Sequence, residues 1–224
     1  MLRPMLRERD GRVRGRCPCA GCGLTEELCA CARLPRVDLD FDLVVVRHAY
    51  ERNRGSNTAR LLQTVVPRTR VLPFGDAARP FEAADLEALD RPLVLFPRGT
   101  RMLEAEDLRA ATLIVLDGSW SQCRRMARRV PGLAKLPFVT LPSGHERVWK
   151  LRRSESEKQG CTFGAVVRAG ELSGATEAAA ALDEALRIVD ALGQHSRGFF
   201  DRFELERRLA AIGHQRTTST MALP

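Results

Sequence analysis

Several absences narrow the reading of this chain before any motif does. No apolar run approaches the ~20 residues that a membrane helix requires; the longest, such as "DLVVVRHA" and "ATLIVLDG", are far shorter. The opening "MLRPMLRERDGRVRGR" has no apolar h-region, so it does not read as a secretory signal, and a cytoplasmic protein with no membrane attachment is expected. There is no GxGxxG dinucleotide loop, no GxxxxGK[ST] phosphate loop, no GxSxG elbow and no HExxH. Only four histidines are present (His48, His145, His195, His214), none at metal spacing, which leaves a histidine-based hydrolase without support.

Lysine is also scarce. Lys135, Lys150 and Lys158 are the only three, so nearly all of the 36 cationic side chains are arginine. Against 28 acidic residues the net charge is +8, and the sequence pI is 9.6. That surplus points to an anionic partner, nucleic acid first, and arginine suits bidentate phosphate contacts. GC-rich codon usage produces the same arginine skew, so charge alone leaves both explanations open.

At 224 residues the chain is long enough for one good core with a small appendage. Residues 1–16 read as a flexible basic arm with six arginines against Glu8 and Asp10. Residues 17–35 form a cysteine knuckle, 36–212 a main domain, and 213–224 a flexible tail. In the main domain "FDLVVVRH" reads as a buried strand and "SNTARLLQTVV" as a helix capped by Ser56 or Asn57. "TRVLPF", "PLVLFP", "ATLIVLDG" and "LPFVTLP" are further strands, with helices near 82–90 and over "SWSQCRRMARRV". From about 160 the pattern is mostly helical. Alternating β and α elements predict an α/β fold with a mainly parallel sheet flanked by helices, whose ligands sit at the carboxyl ends of the strands. "LFPRG" (95–99) and "LDGSW" (116–120) are two such ends.

Five of the seven cysteines fall between 17 and 31. Cys19-x2-Cys22, six residues, then Cys29-x-Cys31 supplies two thiolate pairs, which suits tetrahedral structural zinc with no open position for water. Cys17 is a fifth candidate, and a set of reduced or redox-active thiols is the competing explanation. Further along, Arg47, Arg52, Arg54 and Arg60 surround the Ser56-Asn57-Thr58 helix start. That start is either simple capping or an anion site built on unpaired N–H groups. On the helix from Ser119, the 3-4-7 spacing puts Trp120, Cys123, Ala127 and Val130 on one face and Arg124, Arg125, Arg128 and Arg129 on the other. Asp117 is then either a carboxylate favoured by the helix dipole or a site residue.

The order of these features resembles the DTW-domain family, which is named for a D-x-T-W motif. The residues that carry the resemblance are the cysteine knuckle, "RHAYERNRGSNTARLL", "LVLFP", "LDGSWSQCRRM" and "VWKLR…CT", over roughly 17–200. The resemblance implies a SPOUT-like, knotted α/β fold. It also implies a tRNA-uridine aminocarboxypropyltransferase, which moves the 3-amino-3-carboxypropyl group of S-adenosyl-L-methionine to N3 of a tRNA uridine. Asp117, Ser119 and Trp120 match the family motif, with serine in place of threonine. Asp117 is the expected proton acceptor, and Trp120 or Trp149 the expected stacking aromatic. Leu95, Phe96, Pro97, Leu116, Gly118, Leu151, Arg152, Cys161 and Thr162 are expected to line the cofactor site, and Cys19, Cys22, Cys29 and Cys31 to hold zinc. Arg47, Arg54, Asn57, Arg60, Arg124, Arg125 and Arg128 are expected to face tRNA. Three departures stand out: His48-Ala49-Tyr50-Glu51 lacks the proline of the family's loop, Trp149-Lys150 replaces Tyr-Arg, and Gly164 replaces a glutamate. Methyl transfer, or zinc-bearing RNA binding without catalysis, are the alternative activities. Neither the target uridine nor the oligomeric state is legible.

Overall fold

A computed structural model describes residues 19–52, 54–143 and 160–220, with side chains described as far as Gly213. The basic arm, Cys17, Trp149, Lys150, Leu151, Arg152 and residues 221–224 lie outside the described residues.

Six parallel strands form one sheet: β1 (Asp42–His48), β2 (Arg70–Phe74), β3 (Pro92–Leu95), β4 (Arg101–Met102), β5 (Thr112–Asp117) and β6 (Phe138–Thr140). Their spatial order is β2-β1-β5-β3-β6-β4, and every pairing is parallel. The three central strands are near-continuous apolar runs because both faces of the sheet are covered. Leu43, Val45, Leu113, Val115, Leu93 and Leu95 point into one core, while Val44, Val46, Ile114, Leu116 and Val94 point into the other. β2 tolerates Pro73 since it lies at the edge of the sheet, where a missing N–H leaves no inner ladder unpaired.

The helices divide between the two faces. α1 (Thr58–Val65), α5 (Thr162–Leu172), α6 (Thr176–Ser196) and α7 (Arg202–Thr220) contribute Leu61, Leu62, Phe163, Val166, Leu182, Val189 and Leu205 to the first core. Also there is Leu108 of α3 (Ala105–Leu108). α2 (Ala84–Glu87) and α4 (Trp120–Arg129) cover the opposite face with Leu86, Cys123 and Met126. The knuckle belongs to the first core as well, through Leu24, Ala30 and Leu34.

The expected strands and helices are present, with differences at the short elements. α2 spans only four residues. β4 and α3 fall in "RGTRMLEAEDL", where neither period is long enough to register. α7 continues to Thr220, into the segment 213–224 that the sequence reads as a tail. Among the described residues no helix is long and apolar enough to cross a membrane.

Candidate active site and metal centre

Asp117 is the last residue of β5, on the central strand of the sheet, and is 2% exposed. It stands in register with Arg47 of β1, and its Oδ2 accepts a 2.5 Å hydrogen bond from Asn57 Nδ2. Asn57 is itself the N-cap of α1, its Oδ1 accepting from the Arg60 N–H at 3.1 Å. One buried amide therefore links the end of β5 to the start of α1. Burial lowers the Arg47 pKa from its ordinary value, and the Asp117 carboxylate opposes that shift.

Past Asp117 the chain turns through Gly118 into α4. Ser119 is the N-cap: its Oγ accepts from the Gln122 N–H at 3.3 Å, while Gln122 Oε1 accepts from the Ser119 N–H at 2.6 Å. This reciprocal pair is the capping box that Ser-x-x-Gln announces, and a hydroxyl is all it needs, so serine in place of threonine is neutral here. The helix dipole at this turn is served by Ser119, whereas Asp117 turns toward Asn57. Trp120, first residue of α4, is half-buried. Cys123 and Val130 are buried, Ala127 is half-buried, and Arg124, Arg125, Arg128 and Arg129 are all exposed, as the spacing predicted; Met126 and Gln122 join the buried side unforeseen.

Two further elements reach the same strand end. Thr162 Oγ1 at the start of α5 donates to the Leu116 carbonyl at 3.3 Å, and Cys123 Sγ approaches that oxygen at 3.6 Å. Cys161 caps α5, its Sγ accepting from the Gly164 N–H. Desolvation pushes the Cys161 thiol up to about 11 against the pull of those N–H groups, so it stays neutral near pH 7. Leu95, the last residue of β3, is buried, and Phe96 just past it is half-buried and edge-on to Phe138. Pro97 is exposed, and the loop then closes at Gly99. A Cβ at Gly99 would lie 2.3 Å from the Val139 carbonyl carbon, so only glycine fits. The expected cofactor residues 95–97, 116, 118, 161 and 162 thus converge on the carboxyl ends of β3 and β5. Leu151 and Arg152 lie outside the described residues.

The expected RNA-facing set divides. Arg54, Arg124, Arg125 and Arg128 are exposed, and Arg47 is half-buried. Asn57 is buried, and Arg60 turns to carbonyls, donating from Nη1 to Cys19 O (3.4 Å) and from Nη2 to Arg52 O (2.8 Å). Glu51, in the same basic loop, is fully buried and lies 3.6 Å from Arg54.

Arg60 also ties this loop to the knuckle. The Sγ atoms of Cys19, Cys22, Cys29 and Cys31 all lie within 4.8 Å of one another. The Cys19–Cys31, Cys19–Cys29 and Cys22–Cys29 separations are 3.5, 3.5 and 3.8 Å. Zinc–sulfur bonds of about 2.3 Å in a tetrahedron put sulfurs about 3.8 Å apart, so the four thiols fit zinc with little movement. The knuckle's glycines make room for this: a Cβ on Gly21 would lie 2.7 Å from Cys31 Sγ, and one on Gly23 (φ +77°) would lie 2.5 Å from the Gly55 carbonyl oxygen. Burial opposes ionisation of Cys19, yet the N–H groups of Cys22 and Gly21 and the neighbouring thiols bring it down to about 6. Burial pushes Cys31 up, reinforced by Cys19 and Cys22. Four thiolate ligands would close such a site to water, the arrangement of a structural rather than a catalytic metal.

Fold and site together define an α/β protein in which a four-cysteine cluster able to hold a metal ion is tied through Arg60 to the loop after β1, close to the carboxyl ends of the central strands. The DTW domain profile matches residues 16–192, and the chain belongs to the DTW-domain family. Membership is consistent with a tRNA-modifying enzyme. No solved structure matches the chain.

Proposed function

We propose that this protein is a tRNA-uridine aminocarboxypropyltransferase that uses S-adenosyl-L-methionine and releases methylthioadenosine. The observation that carries the reading is the counterpart of the family's D-x-T-W motif, here Asp117-Gly118-Ser119-Trp120, standing at the end of the central buried strand within a match spanning 16–192. In the reaction a bond forms between uridine N3 and the methionine γ-carbon while that carbon's bond to sulfur breaks. The sulfonium keeps the electron pair, and the N3 proton passes to a base.

The chain's own residues supply position and polarity. Leu95, Leu116 and half-buried Phe96 and Trp120 offer the apolar surface an adenine needs. Gly118 and the starts of α4 and α5, with Cys161 and Thr162, form the polar side of the crevice, and Leu151 and Arg152 are assigned to it by family resemblance. We extend the proposal to a SPOUT-like arrangement of this crevice, supported by the meeting of β3, β5 and the start of α5. Asp117 is the proposed proton acceptor. Its burial limits approach to the strand-end side, and its bond to Asn57 fixes its orientation. Arg47, Arg54, Arg124, Arg125 and Arg128 are the proposed tRNA contacts, with Asn57 and Arg60 acting through the loop they hold. Zinc in the four-cysteine site is the proposed structural metal.

Product analysis tests the reaction. Purified protein with unmodified tRNA and S-adenosyl-L-methionine is expected to release methylthioadenosine. S-Adenosylhomocysteine instead would make it a methyltransferase, and neither product, with RNA binding intact, would make it a non-catalytic RNA-binding protein. Asp117→Asn keeps an oxygen for Asn57 and removes the charge, so a lowered single-turnover rate with unchanged cofactor binding is expected. An unchanged rate would end the proton-acceptor assignment.

A further inference from the structure

Among the described residues four large apolar side chains are strongly exposed: Tyr50, Met102, Phe199 and Phe203. Met102 sits on the edge strand β4, and the two phenylalanines sit near the α6–α7 corner, beyond the residues the family match covers. Met102 also ends a parallel strand, but β4 is the edge of the sheet three strands away from β5, whereas Tyr50 lies three residues past Arg47 and so within about 10 Å of chain from the Asp117 row. Tyr50 is 77% exposed.

Its backbone, by contrast, is fixed. Residues Ala49–Glu51 form a 3-10 turn anchored by the fully buried Glu51. The Tyr50 N–H donates to His48 Nδ1 at 3.3 Å, and the two rings lie 5.3 Å apart at 37°. His48 is in turn edge-on to Phe74, and Phe74 to Phe81. The loop continues with exposed Arg52 and Arg54, and Arg125 of α4 lies close enough to His48 to act on its charge. A buried carboxylate beneath a basic surface loop is costly to hold, and the visible result of holding it is a rigid turn carrying one solvent-facing ring among guanidinium groups. An aromatic ring flanked by cations is an arrangement by which proteins hold unpaired bases, the ring stacking on the base and the cations meeting its phosphates.

We propose that Tyr50 is a stacking platform for an unpaired base of the RNA substrate, presented beside the strand-end crevice by the Ala49–Glu51 turn. The inference rests on the RNA-substrate reading above. It names a contact that charge and motif did not, and a class of ligand: single-stranded loop nucleotides rather than duplex.

The test is fluorescence anisotropy of the full chain with labelled single-stranded RNA, unmodified tRNA and duplex RNA, across a range of salt concentrations. Tyr50→Ala is expected to weaken single-stranded RNA and tRNA binding roughly 5- to 150-fold. The salt slope and duplex binding should be unchanged, and Tyr50→Phe should restore affinity. Arg52→Ala is expected to lower the salt slope by about 1, the behaviour of a phosphate contact. No RNA binding by the native protein, full affinity in Tyr50→Ala, equal losses on duplex and single strand, or failure of Tyr50→Phe to rescue would each overturn the proposal. These measurements do not depend on turnover. Tyr50-dependent binding without formation of aminocarboxypropyl-uridine would uphold the platform and remove the reaction, and turnover with Tyr50-independent binding would do the reverse.

Discussion

Asn57 and Asp117 lie 60 positions apart in sequence, yet one buried hydrogen bond between them ties the start of α1 to the end of β5. Bonds to a charged acceptor contribute about 1.5–3 kcal/mol, so Asn57→Ala is expected to lower stability in urea by about that amount and to loosen the start of α1. A loss under about 0.5 kcal/mol would mean the pair is dispensable. Ser119→Ala removes a helix cap and should cost about 1 kcal/mol, while Ser119→Thr should be close to neutral. His48 gives a pH dependence. Burial holds its folded pKa below the ordinary value, with Glu51 opposing and Arg125 assisting. Between that folded value and about 6.5 the unfolded chain binds a proton the folded chain refuses, so this contribution to stability is complete above about pH 6.5 and falls as the pH drops. An NMR titration placing His48 at or above about 6.5 would contradict this.

The elements best read from sequence were those in which one pattern dominates. "DLVVVRH", "PLVL" and "TLIVLD" are strands because both sheet faces are buried, which leaves unbroken apolar runs bounded by polar residues. The amphipathic split of α4 was equally plain. Side-chain direction was harder: Asn57 and Arg60 look like surface polar residues until the strand end and the knuckle are brought beside them. Glu51 is similar, since nothing local marks a carboxylate in a basic loop as buried. The knuckle was legible from cysteine spacing, but its reliance on Gly21 and Gly23 emerges only from close contacts. Elemental analysis of purified protein is expected to find one zinc per chain. Cys29→Ser should remove it, and Gly21→Ala should weaken retention against a chelator by forcing Cys31 aside. Since Leu24, Ala30 and Leu34 belong to the main core, metal loss should also lower the melting temperature of the whole domain. An unchanged melting temperature would separate knuckle from core.

Over the whole molecule, the knuckle, the loop after β1 and the arginine face of α4 lie toward one end of a parallel sheet, and the proposed anionic partner suits a chain whose net charge is +8. Binding of tRNA is therefore expected to weaken steeply with salt, and charge-removing variants of Arg124, Arg125 and Arg128 should each reduce the slope by about 1. The one measurement that reaches the central claim is mass spectrometry of nucleosides from total tRNA, in cells with and without this gene. Aminocarboxypropyl-uridine present with the gene and lost without it is the predicted result. An unchanged level of that nucleoside, or loss of a methylated uridine in its place, would contradict the account.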